Sequence, residues 1–230
     1  MTTQEFSNEF DVLLNSYSQV AIPGEQFSKN DIVLDEYEKS VLLTQAQEEV
    51  VRGLYNGNLT GKSFEETEEL RRSLSSSIKT IVLQPIPTSD KVLTTSSKLF
   101  QLPEDVWFIT YEHVTVGRVT GDIVKVIPMR QDEWHKVKDN PFRKPTDRKV
   151  IRLDYGANTV ELISNGALLT DYLVKYLSKP SPIILVSLPE DLSINGEQDI
   201  TECQLNTALH RIILERAVQL AYKRFPQASK

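Results

Sequence analysis

The amino-acid sequence predicts an α+β fold, with N-terminal helices, a central and mostly antiparallel β region, and a C-terminal helix. Three observations predict it. Apolar residues recur every three or four positions through the first third of the chain, behind capping signals. The middle alternates, or runs in β-branched and aromatic residues, between Gly, Asn and Pro breaks. The C-terminal segment carries one apolar stripe at helical spacing.

Taken in order, Phe6, Phe10, Leu13 and Leu14 predict a short amphipathic helix that Ile22-Pro23-Gly24 breaks. A helix then begins near Asp31 and includes Leu34, Tyr37 and Val41. Thr44 with Gln47 reads as a capping box, so a second helix restarts at Gln45 and runs to Leu54 or Tyr55. One continuous helix with an interior Thr is the competing reading. Asn56-Gly57 stops it. Ser63 with Glu66 repeats the capping signal, and Thr67, Leu70, Leu74, Ile78 and Ile81 predict a strong amphipathic helix ahead of Pro85 and Pro87.

The pattern changes after Pro87. Asp90 to Leu102 alternates weakly, Val106 to Val116 reads as a strand, Thr120-Gly121 turns it, and Ile123 to Ile127 returns as far as Pro128. Gln131 to Lys138 fits a short helix ended by Asn140-Pro141-Phe142. From Lys149 to Leu188 strands dominate. Val150, Arg152 and Asp154 alternate with Ile151 and Leu153, a turn follows at Tyr155-Gly156-Ala157-Asn158, and Thr159 to Ser164 runs back. Asn165-Gly166 turns again, and Asp171 to Leu177 ends at Pro180 and Pro182. The apolar run Ile183 to Val186 reads as a central strand or one buried at a subunit contact. A loop from Pro189 to Glu202 contains a Ser193-Ile194-Asn195-Gly196 turn. Asn206 then caps a helix with Leu209, Ile212, Ile213, Ala217, Leu220 and Ala221 on one stripe. Four regions result: an N-terminal arm or short helix (1–30), a helical region (31–84), a β-rich core (85–200) with an inserted basic loop (130–149), and a C-terminal helix and tail (201–230).

Composition excludes several function classes. The net charge of −6 argues against wrapping nucleic acid on an overall basic surface. A single cysteine, Cys203, permits no intrachain disulfide and fits a reducing compartment. No leader-like segment is predicted at the start, and no apolar run reaches the roughly 20 residues needed to cross a bilayer. His113, His135 and His210 fall in three different elements, without an HExxH pattern or a second Cys, so a zinc site is unsupported. No nucleophile elbow and no glycine-rich phosphate loop is present. Gly61-Lys62-Ser63 looks like the end of a phosphate loop but lacks its first glycine and follows a helix. No cofactor and no catalytic residue is predicted.

Charge is unevenly distributed. Residues 1–50 hold ten acids against Lys29 and Lys39, a balance of −8. Residues 130–152 hold Arg130, Lys136, Lys138, Arg143, Lys144, Arg148, Lys149 and Arg152 against four acids, a balance of +4. The basic stretch, beside Trp134 and Phe142, suits phosphates, a partner's acidic helix, or plain solvent.

Six segments, in this order, carry a resemblance: DEYEKSVLLTQAQEEVVRGLYNG (35–57), FEETEELRRSL (64–74), LPEDVWFITYEHVTV (102–116), VIPMRQDEWHKVKDNPFRKP (126–145), YLVKYLSKPSPIILVSLPEDLSINGE (172–197) and TECQLNTALHRIILERAVQLA (201–221). Together they resemble the portal-adjacent ring protein in the head-to-tail connector of crAss-like tailed phages. The resemblance implies a non-enzymatic virion subunit, made and assembled in the cytoplasm of the bacterial host. It implies a dodecameric ring beside the portal protein and further tail ring proteins, with genomic double-stranded DNA crossing the lumen without sequence-specific binding. A closed ring needs two different faces on each subunit. The acids Asp31, Asp35, Glu36, Glu38, Glu48 and Glu49 and the eight basic residues are the candidate faces. A nucleic-acid-binding module built on residues 130–152 is the alternative.

Overall fold

Helix α1 (Thr3–Gln19), helix α2 (Glu36–Tyr55) and helix α5 (Thr207–Arg224) bury one another's apolar stripes in the computed structural model. It describes residues 1–19, 33–58, 61, 67–87, 92–117 and 121–224. The chain divides into two units, Met1–Ser77 with Pro180–Lys230, and Ile78–Lys179. The Ile22-Pro23-Gly24 break, the helix start near Asp31, the Ser63 and Glu66 capping pair, Lys62, Thr120 and the segment past Arg224 lie outside the described residues.

In the first unit Phe6, Phe10 and Leu14 of α1, Leu42, Leu43, Ala46 and Val50 of α2, and Leu209, Ile213 and Ala217 of α5 are buried. Ile212, expected on the buried stripe of α5, is exposed. Asp35 opens α2 with a capping box: its carboxylate accepts from the Glu38 N–H at 2.7 Å, and the Glu38 carboxylate accepts from the Asp35 N–H at 3.1 Å. The helix then runs unbroken, so the expected restart at Gln45 is corrected to the continuous reading.

Thr44 does not cap, because its hydroxyl serves another chain segment. It donates to the Ile183 carbonyl at 3.3 Å and accepts the Ile183 N–H at 3.1 Å. Ser40 accepts the Leu185 N–H at 3.0 Å, and the Gln47 amide donates to the Ser181 carbonyl at 2.7 Å. Steps of four and three residues put these three polar groups on one helix face. This face corrects the strand expected at Ile183 to Val186. Its apolar side chains are buried up to Leu185, but side chains of α2, not a neighbouring strand, satisfy its backbone. One isolated bridge remains, Ile184 to Thr201, at the base of a hairpin that turns through Asn195 and Gly196. Both turn residues have positive φ, 53° and 87°, which Asn and Gly tolerate best.

Helix α3 (Glu68–Ser73), capped by Thr67, stops early. A 3₁₀ turn at Ser75–Ser77 follows, then strand β1 (Ile78–Leu83), so the helix expected through Ile81 is corrected here. The three-to-four spacing of Leu70, Leu74, Ile78 and Ile81 coincides with a β pattern in which Ile81 and Leu83 pack on the barrel core of the second unit. The β-branched run Ile78, Thr80, Ile81, Val82 favours that outcome.

The second unit adds β2 (Ser97–Gln101), β3 (Val106–Val116), β4 (Asp122–Met129), helix α4 (Gln131–Val137), β5 (Lys149–Gly156), β6 (Thr159–Ile163) and β7 (Leu169–Ser178). The strand order is β1-β7-β3-β4-β5-β6-β2, antiparallel throughout except β4 with β5, which α4 connects. The two edges meet. Ile86, just past β1, donates its N–H to the Leu99 carbonyl of β2 at 2.8 Å, and Phe100 of β2 packs on Tyr172 of β7 with ring centroids 5.3 Å apart. The sheet thus curls into a small barrel, its edges joined at this one bridge, filled by Val114, Val124, Val126, Val150, Val160, Leu162 and Val174. Outside it, Trp134 and Val137 of α4 cover Ile151, Leu153 and Ile163. Strands β5 and β6 are therefore covered on both faces, and both are largely apolar, with Arg152 on the inner face of β5 and Glu161 on the outer face of β6 as the charged exceptions. Pro128 sits inside β4 rather than ending it, because β3 pairs with β4 only as far as Lys125.

Candidate assembly interface

The acids picked from the sequence are mostly engaged within the first unit. Asp31 lies outside the described residues, and Asp35 and Glu38 form the capping box. Glu36 and Asp11 clasp Lys39, a residue only 3% exposed, whose ammonium lies 3.0 and 2.8 Å from their carboxylates. Burial alone would lower the Lys39 pKa, but these two carboxylates outweigh it and hold it above the ordinary lysine value. Glu48 accepts from the Asn195 amide at 3.3 Å. Glu49 pairs with Arg216 of α5 at 2.6 Å, and the net effect holds its carboxyl below the usual range despite partial burial.

The basic set splits. Arg152 enters the barrel, where its guanidinium pairs with Glu112 at 2.8 Å and Tyr172 donates to the same carboxylate oxygen. Burial first, then the Glu112 charge, pushes the Tyr172 phenol far above its ordinary value, so it stays a donor. Asp154 lies 3.3 Å from the Arg152 Nε, close enough to pair but not aligned as a hydrogen bond. Arg130 pairs with Asp132 at 3.2 Å and Arg143 with Glu133 at 3.5 Å. The Lys149 ammonium donates to the Phe142 carbonyl at 2.7 Å, tying the base of the loop. Lys136, Lys138, Lys144 and Arg148 are exposed and have no acidic partner among the described residues. Phe142, between them, is 89% exposed.

Two features escaped the sequence reading. Glu161 of β6 is fully buried beneath α4; it accepts from the Leu93 N–H at 2.8 Å while its second oxygen has no partner among the described residues. Its alternation with Val160 and Leu162 gave no warning, since an acid opposite apolar residues ordinarily faces solvent. The hairpin 184–201 and Glu202 carry five acids, Glu190, Asp191, Glu197, Asp199 and Glu202, and no base. All five are exposed, and among the described residues the one side-chain partner is the Thr201 hydroxyl on Glu197, at 3.4 Å. A charge count over this short window would have found them. No cluster of three or more metal-ligating side chains occurs among the described residues.

The described residues thus present two exposed, oppositely charged loops, and the comparisons with known proteins show the family. The family model for phage tail ring protein 3/4 matches residues 1–229. The chain is 45% identical over 228 residues to ring protein 3 of Bacteroides phage crAss001, covering 96% of this chain and 95% of that protein. It is 36% identical over 232 residues to ring protein 4/5 of the same phage, covering 96% and 92%. The chain belongs to the phage tail ring protein 3/4 family, the virion ring proteins of crAss-like tailed phages.

Proposed function

We propose that this chain is a structural ring subunit of the head-to-tail connector, seated next to the portal and bordering the channel used for genome packaging and ejection. The observation that carries this reading is the nearly end-to-end match to two ring proteins of one phage. A net charge of −6 suits a subunit beside moving DNA, because a channel that passes DNA without gripping it needs few fixed cationic contacts. The ring is dodecameric in this reading, with further ring proteins below it. Imaging of intact virions tests it: density for this chain as a closed ring against the portal is expected, and its absence from the connector would overturn the assignment.

A second reading has one observation in its favour, the four unpaired cations around Phe142. In a nucleic-acid module, binding of the isolated subunit to duplex DNA would fall steeply with salt and with loss of those cations. The connector reading expects no such binding at physiological salt.

A further inference from the structure

We infer that the Phe142 loop of one subunit docks on the acidic 184–201 hairpin of a second copy of this chain. The inference rests on the ring reading and names the two surfaces that close the ring.

The two surfaces are complementary in charge and in kind. The loop offers Lys138, Lys144 and Arg148 with no acidic partner among the described residues, flanking in sequence the Phe142 ring, 89% exposed. The hairpin offers acids with no cationic partner among the described residues, beside Ile200, 55% exposed, and Val186, 41% exposed. Each surface thus pairs like-signed charges with an uncovered apolar centre, the arrangement of a small interface core and its polar rim. Neither meets its own kind favourably, so the contact is head-to-tail, as ring closure requires.

Both surfaces are also held in shape before docking. The hairpin is closed by reciprocal Ile184 to Thr201 bonds of 3.0 and 3.1 Å and by a turn bonded at 2.9 and 3.0 Å between Ile194 and Glu197. It is fixed to α2 through Ser40, Thr44 and Glu48. The loop is tied by Lys149 to the Phe142 carbonyl and by the Asn140 carboxamide, which accepts the Phe142 N–H at 2.9 Å. Preformed surfaces lose little entropy on association.

Charge swapping in the full-length chain tests the contact. One variant carries Lys138→Glu, Lys144→Glu and Arg148→Glu, a second Glu190→Lys, Asp191→Lys and Glu197→Lys, and a third all six. Rings are counted for the protein alone and co-expressed with its flanking proteins, and circular dichroism confirms folding. Each triple variant should lower ring yield by about tenfold or more, since attraction becomes like-charge repulsion, and the sixfold swap should restore it. Two outcomes sink the contact: triple variants that assemble normally, and a folded sixfold variant as deficient as the triples. Rings of normal yield that lose only DNA retention in the first variant would overturn it in favour of nucleic-acid binding. Wild-type protein that forms no ring in either setting would sink the ring reading itself, and this inference with it.

Discussion

Helix α2 and the hairpin that lies on it are both acidic, yet their acids have opposite situations. On α2 the carboxylates of Glu36, Glu38, Glu48 and Glu49 each have a partner in the same unit, from a backbone N–H to a buried lysine. On the hairpin, Glu190, Asp191 and Asp199 have none among the described residues. The difference teaches that a charge window in a sequence measures total charge and not the charge the fold leaves unpaired. By that measure the acids of α2 form an internal clasp, whereas those of the shorter hairpin stay exposed.

The strongest way to sharpen the contrast is to break an engaged charge completely. Glu112→Ala leaves Arg152 buried in the barrel without its main partner, which should cost about 3–5 kcal/mol in urea denaturation. Replacing both by apolar residues of similar volume should recover most of that loss. Ile213→Asp is comparable: a carboxylate inserted among α1, α2 and α5 should cost several kcal/mol, on the order of the largest single-site effects. An unchanged midpoint would mean the α5 stripe is not buried within the subunit.

A smaller effect is expected at the α2 clasp. The folded pKa of Glu49 lies below its unfolded value. Its contribution is therefore present above the unfolded carboxylate pKa and is lost as pH falls through the folded one. Glu49→Gln should lower stability near neutrality by no more than about 1 kcal/mol, since the pair is partly exposed, and should flatten the loss as pH falls below the unfolded carboxylate value. Identical pH profiles for the variant and wild type would remove Glu49 from the clasp. The smallest effect belongs to the hairpin: Glu190→Gln with Asp191→Asn should move subunit stability by less than about 0.5 kcal/mol. A larger loss would mean that these acids work inside the subunit and would erase the contrast.

Much of this was legible in the sequence because it is local. The stripe of α5, the Asn206 cap, the β-branched run of β3 and the turn at Asn195-Gly196 are set by residues a few positions apart. What was misread depends on distant partners. Thr44 has the spacing of a cap but bonds Ile183, which comes 139 residues later. Ile183 to Val186 has a strand's composition, but helix side chains take its backbone bonds. Ile78 and Ile81 fit a helical period and a strand alike, and the barrel decides between them. In the candidate interface, the exposed cations at 136–148 were legible, whereas the loss of Arg152 to Glu112 needed β3 beside the barrel interior. The membership itself was legible in the order of six segments, none of which carries a chemical motif.

The claim on which the rest depends is that charges left unpaired in the subunit are the ones used between subunits. Subunit-resolved imaging of the assembled ring tests it most directly. The prediction is that Phe142, Lys138, Lys144 and Arg148 of each copy lie against the 184–201 hairpin of the next, with the α2 clasp intact and away from the contact. A ring in which both loops face solvent, or in which the acids of α2 form the joint, would contradict it.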